Sequence, residues 1–361
     1  MIFDEIHHAG TDCAWGIAAQ QAFTSAATRI LSLSGTPFRT RDPIVIVRTA
    51  NGKSVADYAY SYGDALADGV CRPLKFAAIG GTATFQTPAR RVETVSFDDD
   101  LNEQGESYRL RTALAPSGEH LREMLRTADA ELTRMRTTTD PDAGGLVVCV
   151  DCDHADAVAR ILQQITGTRP VVACSRINDP DDPAPRPAIE AFDTGTTPWI
   201  VSVRMISEGV DIRRLRILVY ATNIITQLAF RQITGRIVRT DPKNGTRDDG
   251  TVILPADPRL LEMAQRIIDE HPPSQREPLV IREPRGSAAS IRGSSHDRTF
   301  VPLASTGQLA MITDTTGRAA PAELVAAAER YTEASGSPVP PFELALAAAN
   351  DDQLRSTLLS Y

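Results

Sequence analysis

The sequence predicts an α/β protein built on a parallel sheet with flanking helices, and three features point there. From Gly145 onward short apolar runs recur at residues 146–150, 171–174, 200–203, 217–221 and 252–254, separated by helical or loop segments. That alternation is what a helix-covered parallel sheet requires. The N-terminus repeats the order on a smaller scale, with apolar Met1-Ile2-Phe3, an Ala/Gln-rich stretch over 16–30, and Leu31-Ser32-Leu33-Ser34. The Ala/Glu-rich composition of 321–359 predicts a helical C-terminal tail.

Taken in order, Met1–Phe3 reads as a buried parallel strand cut part way, followed at once by Asp4-Glu5. The second run ends at Gly35-Thr36-Pro37, which cannot continue a strand. Residues 42–144 are mixed, with a strand-like run at 44–47, helices near 58–68 and 118–135, and a β-rich patch over 76–97. In the helix after 146–150, Val158, Leu162 and Ile165 are spaced three or four apart and form its buried face. A further helix over 259–271 leads into Pro/Arg/Ser/Gly-rich residues 272–297, expected as a flexible linker. The expected divisions are 1–42, a connector or accessory region 43–144, a complete α/β domain 145–256, and a helix, linker and helical tail over 257–361.

A chain of 361 residues, 42% hydrophobic and 23% charged, has room for two compact domains. Its net charge of -8 excludes coating of nucleic acid by bulk positive charge, so any nucleic-acid track must be local. Five scattered cysteines do not make a disulfide framework, and no charged leader opens the chain, so a reducing cytoplasm, of a bacterium or a phage-infected host, is expected. No apolar run reaches the length of a membrane span, and no membrane partner is expected.

Four segments carry chemistry. In Asp4-Glu5-Ile6-His7-His8, two carboxylates follow a strand, where open α/β sheets bind ligands. Asp4 is suited to Mg²⁺ and Glu5 to orienting or deprotonating a water; an acidic turn capping a helix is the plain alternative. Ser34-Gly35-Thr36-Pro37-Phe38-Arg39 follows one β-α-β unit later, with small hydroxyl side chains. In Met205-Ile206-Ser207-Glu208-Gly209-Val210-Asp211, Gly209 permits close backbone approach and Asp211 is placed to reach a ribose hydroxyl. In Gln232-Ile233-Thr234-Gly235-Arg236-Ile237-Val238-Arg239, helical spacing puts Gln232, Arg236 and Arg239 on one face and Phe230, Ile233 and Ile237 on another. Two guanidiniums and an amide projecting together suit a polyanion.

Together, in this order and spacing, the DEIHH, SGTPFR, SEGVDI and QITGRIVR segments resemble motifs II, III, V and VI of superfamily 2 DEAD/DEAH-type helicases related to restriction-enzyme motor subunits. The resemblance covers about residues 1–255. It implies an incomplete first RecA-like domain and a complete second one closing on ATP. By that resemblance Asp4 holds Mg²⁺, Glu5 serves the water, His7 meets Gln232, and Arg236 and Arg239 act as arginine fingers. Gly209 and Asp211 then belong to the nucleotide site, and Ser34, Thr36 and Ser202 to coupling or to a nucleic-acid strand, DNA rather than RNA.

The family places a Gly-x-x-x-x-Gly-Lys-Ser/Thr loop before the DExH segment, and here the sequence opens at that segment. A separate polypeptide carrying the phosphate-binding loop, as in a split phage gene, is therefore the expected partner; an unread upstream start is the other reading. Gly52-Lys53-Ser54 lacks the first glycine and comes after motifs II and III, so it is expected at the tip of a connector hairpin or turn. Cys149 and Cys152 lack a second pair for zinc, and Asp151 fits a helix cap. The functional expectation is an ATP-dependent helicase or translocase component, weak alone; its rival is a noncatalytic remnant that binds nucleic acid or a motor partner.

Overall fold

Apolar runs flanking short helices settle into strands here because each buries its side chains only beside a parallel neighbour. The computed structural model describes residues 1–6, 14–23, 27–35, 47–50, 53–175, 185–203, 211–240, 249–270, 300–315 and 317–361. Two compact units divide it: Met1–Ser61 with Ile225–Ile233, and Tyr62–Ile224 with the chain from Thr234 onward through most of the C-terminal region.

In the first unit, β1 (Ile2–Phe3) and β2 (Leu31–Ser32) pair in parallel, with Ile2 opposite Leu31 and Phe3 opposite Ser32. Between them runs α1 (Ala14–Phe23), which ends before the expected residue 30. Next, β3 (Arg48–Ala50) and β4 (Lys53–Val55) form an antiparallel hairpin. Lys53 and Ser54 thus lie on a hairpin strand, which agrees with the expected connector hairpin and leaves them outside any strand-to-helix phosphate loop; Gly52 lies outside the described residues.

The second unit begins with α2 (Tyr62–Ala67), β5 (Leu74–Gly80), β6 (Thr82–Gln86), β7 (Val92–Ser96), α3 (Glu103–Ala113) and α4 (Glu119–Thr138). It continues through β8 (Gly144–Cys149), α5 (Cys152–Thr166), β9 (Val171–Ala173), α6 (Pro185–Thr194), β10 (Trp199–Val203) and β11 (Leu215–Ala221). After α7 (Gln227–Thr234), most of which belongs to the first unit, come β12 (Gly250–Pro255), α8 (Pro258–Ile268), β13 (Val301–Ser305), β14 (Gln308–Asp314) and β15 (Ala319–Pro321). Three helices close the chain: α9 (Ala322–Ser335), α10 (Pro341–Ala348) and α11 (Asp352–Leu359).

An eight-stranded sheet orders these strands β15-β14-β5-β12-β11-β8-β10-β9. Strands β5, β12, β11, β8, β10 and β9 run parallel, and β14 and β15 add antiparallel at one side. Every residue of β5, β8, β11 and β12 is buried, as expected for strands covered on both faces. Over this sheet α4 lays Leu121, Met124, Leu125, Ala128, Leu132 and Met135, spaced three or four apart and fully buried. The α/β class, the helix-covered parallel sheet and the helical C-terminal end are as expected.

The sheet nonetheless reaches beyond residues 145–256. Strand β5, from the stretch expected as connector, pairs with the whole of β12, Leu74 opposite Gly250 and Ile79 opposite Pro255. The C-terminal region is not helical alone, since β14 pairs with β5 and covers its far side. A run as apolar as 76–79 needs neighbours on both sides, and the sequence shows the need without showing which segment meets it. Residues 272–297, expected as a linker, lie outside the described residues.

A smaller antiparallel sheet, β13-β6-β7, packs on α3. Its core gathers Ala83, Phe85, Tyr108 and Phe300 with Val95. The Tyr108 and Phe300 rings stack 4.6 Å apart.

Candidate functional site

In the first unit the parallel pair sets the geometry. Leu33 N–H donates to the Phe3 carbonyl at 2.8 Å and Ile6 N–H to the Leu33 carbonyl at 3.0 Å, so the two strand ends stay in register past the strands themselves. Asp4, Glu5 and Ser34 therefore emerge at the same carboxyl end. Both acids are exposed, and the Glu5 N–H donates to Asp4 Oδ1 at 2.9 Å. Glu5 has φ 51°, a left-handed conformation that side chains other than glycine adopt at a cost. Ile6 behind it is buried at 2% exposure and anchors the turn.

A magnesium ion takes one or two carboxylates and fills its remaining positions with water and phosphate oxygens. Asp4 fits that demand: its carboxylate is exposed, and the Glu5 amide engages only one of its oxygens. Gln232, on α7, falls in the same compact unit as Asp4 and Glu5. His7 and Thr36 lie outside the described residues, as does Gly209.

In the second unit the structure brings two of the sequence-derived residues together. Arg239 Nη1 lies 2.6 Å from Asp211 Oδ2, both side chains partly exposed, and Arg213 Nε stands 3.7 Å from the same oxygen. Asp211 thus already holds a guanidinium, a partner that sequence spacing did not indicate.

The expected single helical face of Gln232, Arg236 and Arg239 is not formed. Helix α7 ends at Thr234, Gly235 and Arg236 lie in a turn, and Arg239 forms an isolated antiparallel bridge with Cys71. Past the helix, Ile237 N–H donates to the Thr234 carbonyl at 3.2 Å and closes that turn. Phe230, Ile233 and Ile237 are buried at 0%, 3% and 0% exposure, so the apolar expectation for those positions holds across the helix end. Ser202 departs as well: it lies within β10 at 0% exposure, its hydroxyl without a hydrogen-bond partner among the described residues. A side chain so enclosed does not reach a nucleic-acid strand, because the parallel sheet is covered on both faces.

One residue that sequence reasoning missed positions this second cluster. Arg72 is wholly buried; its Nη1 donates to the Leu215 carbonyl at 2.8 Å and its Nη2 to the Arg213 carbonyl at 3.1 Å. Its backbone N–H donates to the Val238 carbonyl at 2.7 Å, and Thr240 Oγ1 to the Val70 carbonyl at 3.2 Å. The segment bearing Asp211 is thereby tied to the Arg72 guanidinium, and the segment bearing Arg239 to the backbone at Val70 and Arg72, at the amino ends of β5 and β11. Nothing in Cys71-Arg72-Pro73 signals a buried arginine. The neighbouring Cys71 thiol is pushed up by burial, against the pull of Arg239 and Arg72.

No protein-family model matches the chain. An uncharacterized protein of Mycobacterium leprae is 41% identical over 273 residues, which is 74% of this chain and 44% of that one. An uncharacterized protein of Mycobacterium tuberculosis matches to the same extent, so the chain spans less than half the length of these relatives. Among solved structures, the fragment of a Vibrio vulnificus protein assigned as an HsdR subunit of a type I restriction enzyme is 18% identical at TM-score 0.49, covering 73% of this chain and 46% of that one. The ATP-dependent type ISP restriction-modification enzyme LlaBIII bound to DNA is 15% identical at TM-score 0.43, covering 74% and 19%. Dbp5 of S. cerevisiae, bound to RNA and ADP BeF3, is 10% identical at TM-score 0.38, covering 74% and 56%.

Chemically, the first unit offers exposed carboxylates suited to a hydrated cation, and the second an arginine-rich surface held by buried hydrogen bonds. The neighbouring positive charges at Arg213 and Arg239 match a phosphate-bearing ligand that competes with Asp211 for them. Among the described residues no helix is long and apolar enough to cross a membrane.

Proposed function

We propose that this chain is a component of an ATP-driven nucleic-acid motor of the superfamily 2 type, working on DNA, with the second unit as its second RecA-like domain. The observation that carries the reading is the ordered set of four motif segments, supported by the emergence of Asp4, Glu5 and Ser34 at one end of a parallel strand pair. In this reading Asp4 holds the magnesium that accompanies ATP, and that ion supplies charge neutralisation at the phosphates. Glu5 orients the attacking water, while Arg236 and Arg239 stabilise charge that builds on the transferred phosphoryl group. Asp211 keeps Arg239 in place until nucleotide arrives. His7, Gly209 and Gln232 complete the nucleotide contacts, and Ser34 and Thr36 couple them to the strand being moved.

In the motors this reading invokes, a lysine loop completes phosphate binding, and the strand that carries it would pack beside the β1–β2 pair. Its apolar side chains support this: Met1, Ile2, Leu31 and Leu33 are 50%, 68%, 50% and 43% exposed. Among the described residues, little covers that surface. The test is DNA-stimulated ATP hydrolysis by the chain with and without a polypeptide bearing that loop. The complex is expected to hydrolyse ATP, with Glu5→Gln and Arg239→Ala each lowering the rate about 100-fold or more. Absence of activity in every combination identifies a noncatalytic remnant instead.

A further inference from the structure

The β6–β7 hairpin is closed by Thr87-Pro88-Ala89-Arg90-Arg91, and its geometry is that of a tight turn followed by a bulge. Arg90 N–H donates to the Thr87 carbonyl, and Thr87 N–H to the Arg91 carbonyl, both at 2.8 Å. Pro88 occupies the first central position, where its fixed φ suits the turn. The bulge position is Arg90, at φ 60°. That site strongly favours glycine, because a side chain there crowds the backbone. Here an arginine holds it, and a second arginine follows.

Both guanidiniums are exposed at the tip, and neither forms an ion pair among the described residues. Glu93, two residues along β7 from Arg91, is exposed and makes no ion pair among the described residues, and the acidic cluster Asp98 to Asp100 lies beyond the far end of β7, roughly 20 Å away along an extended strand. On the sheet face turned away from the Phe85 core, Thr84 and Thr94 share a hydroxyl hydrogen bond at 2.9 Å beside exposed Val92. A protein of net charge -8 thus carries an unpaired double positive charge on a projecting tip, at a backbone position where glycine is the relaxed residue.

We propose that the Arg90–Arg91 tip binds the phosphate backbone of nucleic acid, as a contact separate from the motif segments. The choice of nucleic acid as the polyanion rests on the function proposed above; the placement of the arginines does not. Sequence readout plays no part, since the tip offers guanidiniums for phosphate oxygens and no built pocket for a base.

The experiment measures binding of labelled single-stranded and duplex oligonucleotides to the full chain by fluorescence anisotropy across a salt series. Arg90→Gly with Arg91→Ser is expected to weaken binding about 3- to 10-fold at low salt and to flatten the log–log salt dependence by about 1.4 (single strand) to 1.8 (duplex), the loss of two phosphate contacts. The same variant relieves the bulge, so its thermal midpoint should not fall. The paired variant Arg90→Lys, Arg91→Lys keeps the charge and should retain the wild-type salt slope. Wild-type binding with an unchanged affinity and slope in the glycine–serine variant overturns the tip proposal alone; no binding by wild type to either oligonucleotide overturns the nucleic-acid reading with it.

Discussion

The candidate chemistry turns on single groups whose surroundings differ sharply. Arg239 is half exposed, so its pair with Asp211 contributes at most about 1 kcal/mol. Arg72 is enclosed, and truncating it leaves the Leu215 and Arg213 carbonyls without their donor. Arg239→Ala should therefore move the thermal midpoint by less than about 2 °C, and Arg72→Ala by clearly more; equal shifts would contradict the division between a ligand-facing and a positioning arginine. His120 offers a pH test. Burial depresses it from 6.5 to about 4 despite a backbone hydrogen bond to the Ile79 carbonyl at 3.0 Å. A depressed histidine contributes its stability in full above the unfolded value and loses it as pH falls toward the folded one. Stability should decline between pH 6.5 and about 4, by up to about 3 kcal/mol from this group. In His120→Asn, thermal scans over that range should show a shallower fall.

Elements are bounded by local signals that the structure uses in different ways. Helix α5 begins at Asp151, whose carboxylate accepts the His154 N–H at 2.8 Å, and stops at Gly167, with φ 72°. Both are readable in the sequence, because caps depend on neighbours only. Asp151→Ala should cost about 1 kcal/mol, read as a lower denaturation midpoint with an unchanged m value. Strand β8 depends on a distant partner instead. Gly145 lies against the Trp199 ring, and a Cβ there would stand 2.2 Å from Trp199 Cζ3, while the indole Nε1–H is fixed by Asp129 Oδ1 at 2.8 Å. The close approach has no trace in the sequence around Gly145.

At the scale of the molecule, an ionic network built on buried Lys75 and Arg216 ties the C-terminal region to the sheet through the exposed Glu343. Lys75 Nζ lies 2.5 Å from Asp249 and 2.9 Å from Glu343 of α10, and Arg216 reaches Asp249 at 3.0 Å and Asp140 at 3.3 Å. Burial alone would raise the Asp249 carboxyl, but Lys75, Arg216 and Arg134 outweigh it and hold the group below its usual 3.8. That stabilisation is present above pH 3.8 and is lost as pH falls through the lowered value. Asp249→Asn leaves two buried cations short of their counter-charge, and a loss of about 3 kcal/mol in denaturant unfolding is expected. Removing residues 300–361 would uncover one side of β5 and take Phe300 from the satellite core. The shortened chain should aggregate or lose cooperative unfolding; a monomeric, cooperatively folded product would show that β14 is dispensable.

Periodicity, caps and apolar runs sufficed to give the α/β class, the parallel strands from 146 to 254, α4, α5 and the C-terminal helices, since each depends on residues a few positions apart. The motif segments were legible for the same reason. Strand β5 beside β12, β14 beside β5, the buried Arg72, the Asp211–Arg239 pair and the enclosure of Ser202 were decided by tertiary structure alone. Each joins segments far apart in the chain, and neither a strand's neighbour nor a charged group's partner is encoded in its local sequence.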